Sequence, residues 1–134
     1  MTAPSRAARG LTYLRDGHRC VSCGAFSPLE WNHREASGHG GRGKKAPELT
    51  PADGVTLCTL CNNGIEGHMQ DRALALGWKI RRNRGGIPAH EIPYFDYATR
   101  TYYLPTVEGM RTRITHTLAV ELLDASGNLT RKDS

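Results

Sequence analysis

The sequence predicts an α+β chain: a small core braced by two metal-binding knuckles, followed by a β-rich C-terminal extension. Three observations predict it. Four cysteines fall in two matched pairs, Cys20-Val-Ser-Cys23 and Cys58-Thr-Leu-Cys61. Short β-prone runs alternate with helical periodicity up to Gly77. Beyond Arg84, two further β-prone runs straddle a polar turn. Residues 1–84 read as the zinc-stabilised core, with 1–4 as a disordered start, and 85–134 as an extension packed on the same single domain.

Ser5 to Asp16 reads as a short helix with Leu11, Leu14 and Ala7 on one side, interrupted only by Gly10. Asp16-Gly17 ends it. Gly24 fits the tight reversal of a knuckle, because glycine tolerates positive φ. Leu29 to His33 reads as a strand. The stretch 36–53 is rich in Gly, Lys and Pro without periodicity, as in a functional or disordered loop. Val55-Thr56-Leu57 reads as a second strand that delivers Cys58. Ile65, Met69, Ala73 and Leu76 follow at helical spacing, with Gly77 as the stop. Trp78-Lys79-Ile80 fits a strand, and 84–88 a turn. Ile92 to Tyr97 and Thr101 to Leu104 suggest a hairpin. Residues 108–124 fit a helix with Met110, Ile114 and Leu118 on one face, or more strand. Ser126 to Ser134 reads as frayed.

The 134 residues fit one domain, and a mean hydropathy of -0.52 suits a soluble chain. No apolar run approaches a membrane span. The first nine residues lack the apolar core of a signal peptide. A cytoplasmic location is therefore expected, where paired cysteines are more often metal ligands than disulfides. The formal charge is +5, and four thiolates on one zinc would lower it further. Two basic clusters stand out: Arg34, Arg42, Lys44 and Lys45, then Lys79, Arg81, Arg82 and Arg84. Both suit a polyanion such as DNA, or are solvated surface.

Zinc takes four soft ligands in a tetrahedron, and each CxxC turn aims two thiolates at one point. Cys20, Cys23, Cys58 and Cys61 therefore predict one structural zinc. A closed thiolate shell has no open position, so this zinc would stabilise the fold rather than act on a substrate. The 34 residues between Cys23 and Cys58 must contain folded structure.

Those residues carry a resemblance. Arg15-Asp16-Gly17-His18-Arg19-Cys20-Val21-Ser22-Cys23-Gly24 resembles the opening of the HNH nucleases, Trp31-Asn32-His33-Arg34 their first catalytic strand, and Gly40-Gly41 the glycines of their next loop. Leu57 through Met69 resembles their closing knuckle and helix, most of all that of phage recombination endonuclease VII. The likeness covers about residues 11–77. It implies a ββα-metal core, in which two strands and a helix hold one divalent cation, magnesium or manganese. It also implies a phage-encoded DNA endonuclease or nickase in the bacterial cytoplasm.

His33 matches the family's general base; a neutral imidazole can take a proton from water near pH 7. Asn62 matches a metal-binding Asn at the helix start, and it is also a good N-cap. Family members commonly carry an acid immediately before the base, where this chain has Asn32. A neutral amide holds magnesium less well than a carboxylate does. Glu66, one helical turn past Asn62 and matched in endonuclease VII, is the favoured source of charge; Glu35, two residues past His33, is the alternative. Asp53 could orient a histidine but better fits a turn, Pro51-Ala52-Asp53-Gly54. His68 and His39 are weaker candidates, more often solvent-exposed than ligating. His18, His90 and His116 carry no motif signal.

Arg34, Arg42, Lys44, Lys45, Lys79, Arg81 and Arg82 are candidates for the DNA backbone, where contacts position a duplex without reading bases. Tyr94, Phe95, Tyr97, Tyr102 and Tyr103 could stack on bases but better fit packing of the tail. Two other readings stand beside the nuclease: a ββα scaffold that binds DNA or protein without cutting, and a zinc-ribbon adaptor with no second metal site. A protein partner or homodimer stays open.

Overall fold

The computed structural model describes residues 3–35 and 48–130. It is mixed α+β, with two small antiparallel sheets. Helix α1 (Arg6–Arg15) is followed by strand β1 (Leu29–His33), strand β2 (Gly54–Cys58), and helices α2 (Thr59–Ile65) and α3 (Gln70–Ala75). Strands β3 (Tyr94–Asp96), β4 (Thr101–Pro105) and β5 (Arg111–Ile114) precede helix α4 (His116–Ala125). Among the described residues no helix is long and apolar enough to cross a membrane.

Helix α1 begins and ends where its caps predict. Ser5 Oγ accepts from the Ala8 N–H at 3.0 Å, and Asp16 is the C-cap. Its buried face is not the expected one. Ala8, Thr12 and Arg15 point inward, while Leu14 is 65% exposed. The reason is polar. Thr12 Oγ1 accepts from Trp31 Nε1 at 3.1 Å, and Arg15 donates to the carbonyls of Pro51 and Gly54 at 2.9 Å each. Those carbonyls flank the start of β2 and need donors. The partly exposed Leu11 lies instead against Gly109, in the β4–β5 turn.

Asp16 ties the halves together. It pairs with Arg15 at 2.9 Å, accepts from the Thr56 N–H at 3.0 Å, and accepts from the Tyr94 hydroxyl at 2.6 Å. Tyr94 is fully buried in the same apolar cluster as Cys20, Val55, Leu57, Ile65 and Trp78. Burial and the adjacent Asp16 hold its phenol well above the usual range.

Strands β1 and β2 pair antiparallel, from Leu29 opposite Cys58 to His33 opposite Gly54. Gly54 is required by its neighbour. A Cβ there would sit 2.1 Å from Trp31 Cε2. Gly54→Ala should displace the indole, break its bond to Thr12, and cost about 1–3 kcal/mol. A thermal melt showing no loss would contradict this packing.

The expected continuous helix after Cys61 is two short ones. The Gly64 carbonyl accepts from both Gly67 and Met69 N–H groups at 3.0 Å, closing a turn over 66–69. Met69 then folds over Gly64, where a Cβ would lie 2.7 Å from its sulfur. Gly77, at φ +77°, is the predicted stop.

In the C-terminal part β3, β4 and β5 form a meander. Residues 108–124 contain both alternatives, a strand and then a helix capped by Thr115. The segment after α4 was expected to fray, yet through Thr130 it is bonded in place. Ser126 and Asn128 are buried, and Asn128 Nδ2 donates to the Leu74 and Lys79 carbonyls at 2.9 and 2.8 Å. Trp78 Nε1 reaches the Phe95 carbonyl at 2.7 Å. The cluster of aromatics mainly packs: Tyr94 and Tyr102 are buried, and Tyr97 is the most exposed of the five.

Arg34 stands at the junction and corrects its reading as a DNA contact. Its side chain is wholly buried and donates to five carbonyls: Gly77 (3.0 Å), Ala52 (3.2 Å), Ala89 (3.1 Å), Ile92 (2.8 Å) and Pro93 (3.2 Å). Its own N–H meets the Asp53 carbonyl, and its carbonyl accepts from Ile80. A guanidinium so placed has nothing left for a phosphate.

Candidate metal centre and active site

The first knuckle is shaped by short backbone bonds. The Gly24 N–H donates to the Cys20 carbonyl and the Cys20 N–H to Ala25, both at 2.8 Å, with Gly24 at φ +82°. The Val21 N–H then docks on the Thr56 carbonyl of β2 at 3.0 Å. The second knuckle is the β2–α2 junction, where Cys58 caps the helix and its sulfur accepts from the Cys61 N–H at 3.4 Å.

Together these turns gather Cys20, Cys23, Cys58 and Cys61 so that all four sulfurs lie within 4.8 Å of one another. Cys23 and Cys58 are 3.7 Å apart. That is too long for a disulfide, and it matches the edge of a tetrahedral thiolate shell, about 3.8 Å for bonds near 2.3 Å. The cluster could therefore hold a metal ion such as zinc. Cys23 is exposed and the other three are buried. Burial raises the Cys20 and Cys61 thiols above the usual range. For Cys58 burial acts in the same sense but is overcome by hydrogen bonds from Cys61, so its thiol is lowered. Ionising all four without a cation would be costly, and a divalent ion removes that cost.

The second candidate site lies where β1 faces α2. Side chains alternate along a strand, so Glu30 and Asn32 share one face while Trp31 and His33 share the other. On the first face, Glu30 accepts from Thr59 Oγ1 at 2.7 Å and from Asn62 Nδ2 at 2.5 Å. Asn62 is thus brought to β1 as a side-chain partner, while the α2 N-cap is Cys58. Asn32 is buried and donates from Nδ2 to the Trp78 carbonyl at 3.0 Å. On the other face, His33 closes β1, half-buried, with its ring 5.7 Å from that of Trp31.

The two expected acids are engaged elsewhere. Strand β1 stops at His33, and Glu35, two residues beyond, pairs with Arg84 at 2.5 Å. Glu66 caps the end of α2, largely exposed, and pairs with Lys79. His68 is exposed in the turn after α2, so it does not extend the face of Asn62. Asp53 belongs to the turn, as favoured: its carboxylate accepts from the Thr50 N–H at 2.7 Å in a capping box over Pro51–Asp53. Glu30 was missed. Its signal was available, since it precedes Asn32 by two residues on a strand.

Lys79, Arg81 and Arg82 of the second basic cluster line a cleft of about 560 Å³ with Glu66, Gly127 and Thr130. Lys79 is nearly buried against Glu66. Arg81 is tied to the Gly127 and Thr130 carbonyls at 2.8 and 2.6 Å. Arg82 is exposed. His39, Arg42, Lys44 and Lys45 lie outside the described residues. No family model, curated protein or solved structure matches this chain.

Proposed function

We propose that this protein is a metal-dependent DNA endonuclease or nickase of the HNH type, built on a ββα-metal core. The observation that carries the reading is the contact of Glu30 with Asn62. It fastens the strand ending in His33 to the helix that starts beside the thiolate cluster. Strand, strand and helix follow one another in the order that the motif resemblance implies. A structural zinc on Cys20, Cys23, Cys58 and Cys61 would fix the junction of β2 and α2 and so the placement of Asn62.

In this reading His33 takes a proton from the attacking water, and Asn62 offers its amide oxygen to the cation. A bound magnesium or manganese ion supplies charge neutralisation at the phosphate and the departing 3′ oxygen. Arg81 and Arg82 give the cleft beside Glu66 and Lys79 the sign that a DNA backbone prefers, the Lys79 charge being paired with Glu66. The burial of Asn32, at the motif position where an acid is expected, favours a second reading in which the same scaffold binds DNA without cutting.

Cleavage assays separate the two. Zinc-loaded protein is incubated with supercoiled, linear and branched DNA in magnesium or manganese. The nuclease reading expects strand breaks that vanish when the added cation is withheld. Intact DNA in every combination would contradict it.

A further inference from the structure

Building on the nuclease reading, we infer that Glu30 is a positioning residue for the catalytic cation: it holds the NH₂ end of the Asn62 amide and so leaves the carbonyl oxygen as the end that would bind the metal. A carboxylate only accepts hydrogen bonds, whereas an asparagine amide has one donating and one accepting end. The 2.5 Å contact between Glu30 and Asn62 must therefore be made through Nδ2. That choice turns Oδ1 away from Glu30 and settles the orientation of the amide. A flipped amide would present an NH₂ group to a cation, which repels it.

Glu30 is itself held. Its second carboxylate oxygen accepts from Thr59 Oγ1 at 2.7 Å. Thr59 and Asn62 are three residues apart, and so neighbours on one face of α2. Strand pairing with Leu57 fixes the Glu30 backbone. The side chain is thus tethered at the strand, at the helix start and at Asn62. It also places a negative charge behind a neutral ligand, the arrangement by which an outer carboxylate strengthens a metal ligand. This supplies charge to a site whose motif position, Asn32, holds none.

The test is manganese binding to zinc-loaded protein, followed by the spectroscopic signal of free manganese. Glu30→Gln keeps the size and one acceptor of the side chain, and it should weaken manganese binding by about 10–100-fold, the usual effect of losing such an outer partner. Zinc content and melting temperature should hold. In an Asn62→Ala background the same substitution should change affinity little, because Glu30 acts through Asn62. Glu30→Asp is the second variant, for use if Glu30→Gln loses zinc. It retains the charge but is too short to span Thr59 and Asn62 together, so weaker binding is again expected.

Unchanged manganese affinity in a folded Glu30→Gln or Glu30→Asp would overturn the inference. So would an equal loss with and without Asn62, which would make Glu30 a direct ligand. If the wild type binds and cuts while the Glu30 variants match it, only this inference fails. If the wild type binds no manganese, the nuclease reading fails with it.

Discussion

Arg34→Ala is expected to cost about 3–5 kcal/mol, because it strips donors from buried carbonyls and leaves a large cavity. With total stabilities of roughly 5–15 kcal/mol for a domain, much of the population would then unfold on mild warming. The guanidinium bonds carbonyls from four separate stretches, at residues 52, 77, 89 and 92–93. These stretches belong to the turn before β2, the end of α3 and the approach to β3. Deleting the side chain would take the donor from the buried carbonyls of Ala52, Gly77, Ile92 and Pro93, while that of Ala89 keeps the Ile92 N–H, and would open a cavity beside Tyr94, whose ring it faces at 5.8 Å.

Burial pushes the Arg34 guanidinium down to about 9, still above neutral pH. The charge is therefore present in the folded protein and is compensated by carbonyl dipoles. Lysine should not substitute. Its ammonium carries three donors at a single point and cannot match a planar fork with five. Arg34→Lys is expected to lose about 2 kcal/mol or more. Denaturant melts at fixed zinc would measure both variants. A melt of Arg34→Lys coincident with wild type would show that the hub is not what holds these segments together.

Stripping metal from the cysteine cluster, which is proposed to hold zinc, is expected to have the second large effect. The cysteine cluster lies in the principal core, where Cys20, Cys58 and Cys61 pack with Val21, Val55, Leu57 and Ile65. Structural zinc is worth about 10–16 kcal/mol in small zinc-folded peptides. Here apolar packing and the Asp16 network share the task, so the loss should be smaller but still decisive for α2. A strong chelator should release one zinc per chain and lower the melting temperature. Cys58→Ser should do the same while also weakening the α2 cap. Circular dichroism unchanged by full chelation would mean that the cluster does not hold the fold.

Much of this architecture was legible in the sequence. Ser5 and Asp16 bounded α1 because capping is local chemistry, and the CxxC spacing predicted a converged cluster because two short turns suffice to build it. The misreadings share another cause. Leu11 and Leu14 looked like an inward face, but the inward face is chosen by carbonyls at Pro51 and Gly54 that no helical period reveals. Arg34 follows a motif histidine in a basic stretch and so read as surface. Its partners lie as far as 59 residues away, and no local pattern announces them. Ile65, Met69 and Ala73 keep helical spacing across a break imposed by Gly64 and Gly67. In the candidate site, His33 and Asn62 came from the motif. Strand alternation put Glu30 on the face of Asn32, but its contact with Asn62 depends on how β1 docks against α2.

The central claim is that His33 performs the chemistry while the thiolate cluster only holds it in place. The most direct measurement is the rate of supercoiled-plasmid nicking in magnesium by His33→Ala and wild type, each verified to carry one zinc per chain. The account predicts that His33→Ala keeps its zinc and melting temperature and cuts about 10²–10⁴-fold more slowly, the range for a lost general base. Nicking by His33→Ala at the wild-type rate would contradict it.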